Sequence, residues 1–289
     1  MNGALAVTRY TLLELSRRRI LLVFAIIGAL GIVALGLGMK LLYEIALRPD
    51  LGRSNDPVVV NRFLELQFVT YLVQALGVFA ALIAFAIGMT AIYHDLESGA
   101  AVSIFSKPIT RLAFTAGKVI AAVAGLVVVV GLLAVETRIV MLLFGGGLEN
   151  ALTGEVLAAV ANVIVVMLLV LALSTWMNNI VAAVVAFIYS NVVEGIIVFI
   201  HRFADAGAIS NQAVRTIFDV LYWFVPHPLV SSMVGDLARA QVAMSQQPLT
   251  NQVTASIPAA SAAGDIAWWV ATVVVFCALL YYSVRRRQV

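Results

Sequence analysis

YHDLESGAAVSIFSKPITRLAFTAGK, residues 93–118, is a mixed polar segment set between two long apolar runs, Phe68–Ile92 and Val119–Phe144. It carries His94, Asp95, Glu97, Lys107, Arg111 and Lys118 in a chain with few charges. Each flanking run exceeds the roughly 20 apolar residues that a membrane-spanning helix needs, so the segment reads as a connection between two spans. Working outward, four further stretches are long and apolar enough: about Ile20–Met39, Val156–Thr175, Ile180–Ile200 and Ile266–Val284.

The rest of the composition agrees. The 289 residues are 63% hydrophobic and 11% charged, with a mean hydropathy of +1.04, against about 25% charged in soluble domains. The expected fold is therefore an all-α polytopic membrane protein with six transmembrane helices, organised as a single transmembrane domain over residues 1–289. The lone Cys277 excludes an intrachain disulfide framework and a cysteine metal site. The basic residues lie beside apolar runs, as membrane anchoring requires, so the pI of about 9.2 does not point to nucleic acid.

Lys and Arg near the span ends set the expected orientation. One side holds Arg9, Arg17, Arg18, Arg19, Lys107, Arg111, Lys118, Arg285, Arg286 and Arg287. The other holds Lys40, Arg48, Arg53, Arg62, Arg202, Arg215 and Arg239, spread over longer connections. Both termini are accordingly expected in the cytoplasm, with the chain multi-pass in the inner (cytoplasmic) membrane. The basic patch before the first apolar run resembles a signal peptide, but the run is long and lacks a small-residue cleavage site, so it reads as an uncleaved anchor.

The connections have distinct characters. Residues 1–19 read as an N-terminal interfacial helix with Ala6, Tyr10 and Leu13 on one face. Residues 40–67, with turn-prone Arg53–Pro57, read as an outer loop, and Gly145-Gly146-Gly147 as a tight turn. The short Trp176–Asn179 link makes spans four and five a helical hairpin. Segment 201–264 is read as an extracytoplasmic helical segment. In it Val214, Ile217, Phe218, Leu221, Tyr222 and Val225 follow helical spacing and Arg215 pairs with Asp219 at i, i+4. Pro226-His227-Pro228 stops that helix, a second runs about Leu229–Val242, and Ser245–Gly264 is loop. These outer-side helices could lie on the surface or dip into the outer leaflet.

Catalytic signals are thin. The histidines are His94, His201 and His227, without a zinc-binding His-Glu-x-x-His spacing. Gly117-Lys118 lacks the first glycine and the Ser or Thr of a phosphate-binding loop. Glu136 and Arg138 in span three and Glu194 in span five are intramembrane charges, each costing on the order of 2.5–3.5 kcal/mol at the bilayer centre. Glu136 and Arg138 are two apart on a helix and face nearly opposite ways. Arg138 and Glu194 lie at similar depth, so an Arg138–Glu194 ion pair is expected, within one chain or across a dimer. Asn162 and Asn191 are expected to make interhelical hydrogen bonds.

Within the opening stretch, Glu97-Ser98-Gly99 gives a charged helix end and a flexible point, and Ala100–Phe105 is apolar but too short to span. Pro108 ends that run, and Thr110 caps the helix that becomes span three. Glu97-Ser98-Gly99, Ser106-Lys107-Pro108-Ile109-Thr110-Arg111 and Gly117-Lys118 together resemble the cytoplasmic loop of type-2 ABC transporter permeases. In that family an acidic residue and glycine precede a Ser-Lys-Pro-Ile-Ser-Arg element and a Gly-Lys pair. Thr110 stands where Ser is common, and Ala100 where Thr is frequent. The layout is similar as a whole, most of all to the permease group serving nitrous-oxide reductase maturation.

The resemblance implies a cytoplasmic coupling helix, around Asp95–Lys107 within residues 93–118, docking on a separate ATPase subunit. Asp95, Glu97, Lys107 and Arg111 would supply polar contacts, with Gly99 and Pro108 setting the shape. It implies an exporter of two permease copies, a homodimer or a heterodimer, and two ATPases, with ATP and Mg on the partner, none in this chain, and no enzymatic activity of its own. Membrane lipid is the other expected partner. The competing readings are an intramembrane enzyme using Glu136, Glu194 and His201, and a membrane scaffold without transport.

Overall fold

The computed structural model describes residues 3–47, 57–93, 95, 109–143, 149–205, 209, 211–244, 257 and 259–286, and among these it contains helices and no strands. Helix α1 is Gly3–Ser16, α2 Arg19–Leu42, α3 Pro57–Thr90, α4 Arg111–Leu142 and α5 Glu149–Ser174. Then come α6 Asn179–Ile188, α7 Glu194–Asp205, α8 Gln212–Phe224, α9 Ser232–Met244 and α10 Ala263–Arg286. Single wide π-helical turns, Tyr43–Leu47 and Tyr189–Val193, extend α2 and join α6 to α7.

Six helical stretches are long and apolar enough to cross a membrane: Arg19–Ile45, Phe63–Thr90, Arg111–Leu142, Leu152–Ser174, Asn179–His201 and Ala263–Arg286. They match the six expected spans. Outward faces such as Ile26, Leu30, Val128, Leu132 and Val135 are exposed and apolar, which water would penalise and lipid does not. Helix α1, the exit of α3, the start of α4 and the end of α10 meet at one end of the bundle, called the terminal side below.

The helix ends follow local chemistry. The Thr110 hydroxyl accepts from the Ala113 N–H at 3.2 Å, the expected cap of α4. The Asn178 side chain accepts from the Ile180 N–H at 2.9 Å and opens α6 after the short link, giving the expected hairpin. Pro57 sits at the first position of α3, where its missing N–H costs nothing. Residues 57–67, read as loop, are thus helical, and α3 at 34 residues is about 51 Å long. Its projecting end is kept helical by burying Leu66 and Val69 with Leu152 of α5 and Met233 of α9.

Segment 212–244 forms two helices around a broken turn. Helix α8 stops at Phe224 before Pro226-His227-Pro228, as expected, and the chain turns and re-forms as α9. That turn lies against Asn162 of α5, about 18 Å from the helix end at Ser174 in a hydrocarbon layer about 30 Å thick. With α5 as one of the spans, the turn between α8 and α9 would be re-entrant in that layer. Irregular backbone survives there only if its polar groups are satisfied inside the protein. Asn162 Oδ1 accepts from the Leu229 N–H at 2.7 Å while its Nδ2 donates to the Leu229 carbonyl at 3.0 Å. Ser261 does the same for Val230, through its hydroxyl at 2.8 Å and its N–H at 2.9 Å. The Tyr189 hydroxyl donates to the Pro226 carbonyl at 3.2 Å. Pro226 and Pro228 bring no N–H to satisfy.

Two expectations for this region change. Asp219 pairs with His201 Nδ1 at 3.0 Å, not with Arg215, whose Nε donates to the Ile209 carbonyl at 2.6 Å. His201 of α7 stacks on Tyr222 at 4.0 Å, which brings its ring over α8 and within reach of Asp219. Asn191 donates to the Phe187 carbonyl at 3.0 Å and to Ser190 at 3.1 Å, both on its own helical segment, so it makes no interhelical bond among the described residues.

Close helix packing centres on small residues. A Cβ at Gly36 of α2 would come within 2.2 Å of Val140 Cγ1 on α4 but 3.6 Å from its Cβ. Valine is stiff at χ1 in a helix and cannot swing aside. Gly36→Ala is expected to cost about 1–3 kcal/mol and to lower the thermal unfolding midpoint in detergent. Adding Val140→Ala removes the clashing methyl, so the double variant should unfold above Gly36→Ala alone. For the hairpin, Asn162→Leu strands both Leu229 groups and is expected to cost about 2–3 kcal/mol, read as a lower midpoint and faster proteolysis around residue 229.

Candidate functional site

Two places gather polar side chains against apolar surroundings. The first lies on the terminal side, where the quoted stretch enters and leaves the bundle. Lys118, one residue after the glycine where α1 crosses α4, is fully buried. Its Nζ lies 2.5 Å from Asp95 Oδ2, also buried, and 3.7 Å from Glu14 Oε2 of α1. Glu14 also pairs with Arg18, one turn further on. Two carboxylates thus face two cations.

Asp95 Oδ2 and Lys118 Nζ have no other hydrogen-bond partner among the described residues, so each depends on the ion pair. The rings of Tyr10 and Phe114 flank the ammonium, 5.7 Å and 5.9 Å from centroid to Nζ, close enough for cation–π attraction. Partial burial, with the Asp95 and Glu14 carboxylates adding to it, raises the Tyr10 phenol above its ordinary pKa, and Arg18 opposes the rise.

Helix α1 fits here because Gly117 has no side chain. A Cβ there would stand 2.7 Å from the Ala4 carbonyl and 2.8 Å from Val7 Cβ. The Thr8 hydroxyl donates to the Gly117 carbonyl at 3.2 Å. Val7, Thr11 and Leu15 are the buried residues of α1, whereas Leu5, Tyr10 and Leu13 are exposed. The face expected to seek the membrane is therefore turned away from the bundle. Alongside, Arg111 Nη1 donates to the Arg285 carbonyl near the end of α10 at 2.5 Å, tying the start of α4 to the last span.

The expected docking residues divide accordingly. Asp95 is turned inward onto Lys118, and Arg111 is at the surface with its link to α10. Glu97, Gly99, Lys107 and Pro108 lie outside the described residues, as do His94 and Gly145–Gly147. Sequence reasoning missed Glu14 and the central role of Lys118. The available signal was Gly117, since a glycine beside a charge in a helix invites another backbone to approach.

The second place is a cavity of about 530 Å³ between α5, the α6–α7 span and the re-entrant turn. Asn162, Tyr189, Asn191, Glu194 and His227 give it polar points, and Val163, Val166 and Leu169 give it apolar walls. The π-helical turn at Tyr189–Val193 lies directly before Glu194; such wide turns recur where a helix is adapted to a site. His227 is fixed by the Tyr222 carbonyl at 3.1 Å, by Asp265 at 3.3 Å and by stacking on Tyr222 at 3.9 Å.

Among the described residues no ion pair joins Glu194 to Arg138, and the two lie on different parts of the bundle. Glu194 faces the cavity beside α5, whereas α4, which carries Glu136 and Arg138, packs mainly on α1, α2, α3, α5 and α10. Glu194, Glu136 and His201 are likewise in separate settings: the cavity, α4, and the contact with Asp219. Among the described residues no three His, Cys, Asp or Glu side chains are grouped to hold a metal.

A comparison with models of known protein families finds no match, and a search of curated proteins finds no similar sequence.

Removing one partner of a buried ion pair leaves the other charge uncompensated, at about 3–5 kcal/mol, whereas replacing both by apolar groups is often neutral. Asp95→Leu and Lys118→Met are each expected to lower the unfolding midpoint sharply. The double variant should recover most of the loss, measured by thermal unfolding of the purified chain in detergent.

Proposed function

We propose that this chain is the transmembrane permease subunit of an ATP-binding-cassette exporter, with ATP hydrolysis supplied by a separate nucleotide-binding subunit. The observation that carries the reading is the way the ends of the 93–118 connection are held. Asp95 follows α3, Lys118 belongs to α4, and Glu14 belongs to α1, and the three charges meet in one buried cluster. A push on the intervening residues would therefore be passed to three helices together, and Arg111 would extend it to α10. A free surface loop would transmit nothing.

In this reading Glu97, Lys107 and Arg111 meet the ATPase, Gly99 and Pro108 shape the docking segment, and Asp95 anchors it from within. Two permease copies and two ATPases form the working unit, in the cytoplasmic membrane with both termini in the cytoplasm. ATP and Mg belong to the partner subunit.

The test is co-purification from the native membrane. A tagged chain is expected to bring down a protein with ATP-binding motifs, and ATPase activity should accompany it. Combining Glu97→Lys with Lys107→Glu removes charge-assisted contacts worth about 1.5–3 kcal/mol each, so retention of the ATPase should fall at least about tenfold. If no ATPase is retained, and replacing residues 97–107 with a Gly/Ser linker leaves growth and membrane composition unchanged, the reading is wrong.

A further inference from the structure

We infer that the cavity at Glu194 is a binding site for a lipophilic monovalent cation, an amine or quaternary-type ion carrying apolar groups. As a cargo site this rests on the permease reading; as a binding site it does not.

The carboxylate is the first reason. Glu194 has no ion pair and no hydrogen bond among the described residues, and an ionised carboxylate within a membrane span is costly unless it is paired. The described lining contains no Lys or Arg. His227, the one other titratable nitrogen there, is committed through both ring nitrogens to Asp265 and the Tyr222 carbonyl. The cavity thus holds an acidic side chain with no partner among the described residues, one that a bound cation would favour in its ionised form.

The walls supply the second reason. Val163, Val166, Leu169 and Val198 are aliphatic, and Tyr189 and Phe199 present rings of the kind that attract a cation on their faces. A volume of about 530 Å³ lies in the range of about 300–1,000 Å³ typical for small-molecule sites. A strongly hydrated metal ion would leave these apolar walls unused, and an anion would meet Glu194. An apolar cation satisfies both.

The route of entry fits the same chemistry. Val192, Val193 and Ile196, on the segment that carries Glu194, are exposed and apolar, so the outer face of this segment suits contact with lipid. A lipophilic cation concentrates in the lipid phase before it binds.

The test uses the full chain purified in detergent and equilibrium dialysis with tetraphenylphosphonium, with empty micelles as the blank. Tetraphenylborate, of the same shape and opposite charge, is the control. Saturable binding of the phosphonium and none of the borate is expected. Glu194→Gln should weaken binding at least about tenfold. Val166→Trp, which fills the cavity and keeps the carboxylate, should also abolish it, and a monodisperse, helical profile qualifies each variant.

Equal binding by wild type and both variants, or equal uptake of the borate, overturns the inference. So does binding that appears only in Arg138→Leu, because then a second copy's arginine already occupies Glu194. The assay needs no ATPase, so a chain that binds the cation yet retains no ATPase fails the permease reading alone. A chain that retains the ATPase and binds no cation fails this inference alone.

Discussion

The ammonium of Lys118 is the point on which the terminal side of the molecule depends. It is wholly buried, 2.5 Å from Asp95 and 3.7 Å from Glu14, and a buried charge is tolerable only while its partners stay in place. That condition fixes three elements that sequence separates widely: the N-terminal helix, the exit of α3 and the second turn of α4. Such a pair is a poor source of net stability and a strong source of uniqueness, because every alternative packing would leave a charge alone in apolar surroundings. Gly117 adds a steric condition to the electrostatic one, since only a residue without a side chain lets α1 lie this close.

The opposite half of the bundle is organised by a different demand, the need to satisfy backbone that is neither helix nor strand inside an apolar layer. The re-entrant turn meets it with Asn162, Ser261 and Tyr189, and with two prolines that have no N–H to offer. His227 completes the arrangement by joining the turn to Asp265 at the start of α10 and by stacking on Tyr222, which in turn stacks on His201. Helices α7, α8 and α10 are thereby linked around one aromatic column. The cavity is the space left between this rigid plug and the α6–α7 span.

The sequence made the six spans legible because a hydrocarbon layer imposes a length and a composition that few other constraints mimic. Thr110, Asn178 and Pro226-His227-Pro228 were legible because caps and breaks act within a few residues. What could not be read was which helices are neighbours. Arg138 and Glu194 count to matching depths along their spans, but such a count says nothing about position around the bundle, and no ion pair joins them among the described residues. Arg215 and Asp219 have ideal helical spacing, yet His201 from another helix reaches the aspartate first. Lys118 looked like an anchor at the end of a span because local pattern cannot distinguish a base that faces water from one that finds two carboxylates across a helix crossing. Residues 57–67 looked like loop because their helix is stabilised by contacts with α5 and α9 that the local sequence does not contain.

The wide turn at Tyr189–Val193 has a consequence for how this span tolerates change. A π-helical turn takes in one residue more than an α-helical turn, so the faces of the helix before and after it are out of step by roughly 100°. The bearing of Glu194 is therefore set by a count of residues, and no single side chain of the turn fixes it. Point substitutions within 189–193 that keep the count leave the carboxylate aimed at the cavity, whereas losing one residue would swing it toward the lipid and bring Val193 or Gly195 round in its place. In a chain with this architecture, the span is robust to exchange and brittle to deletion.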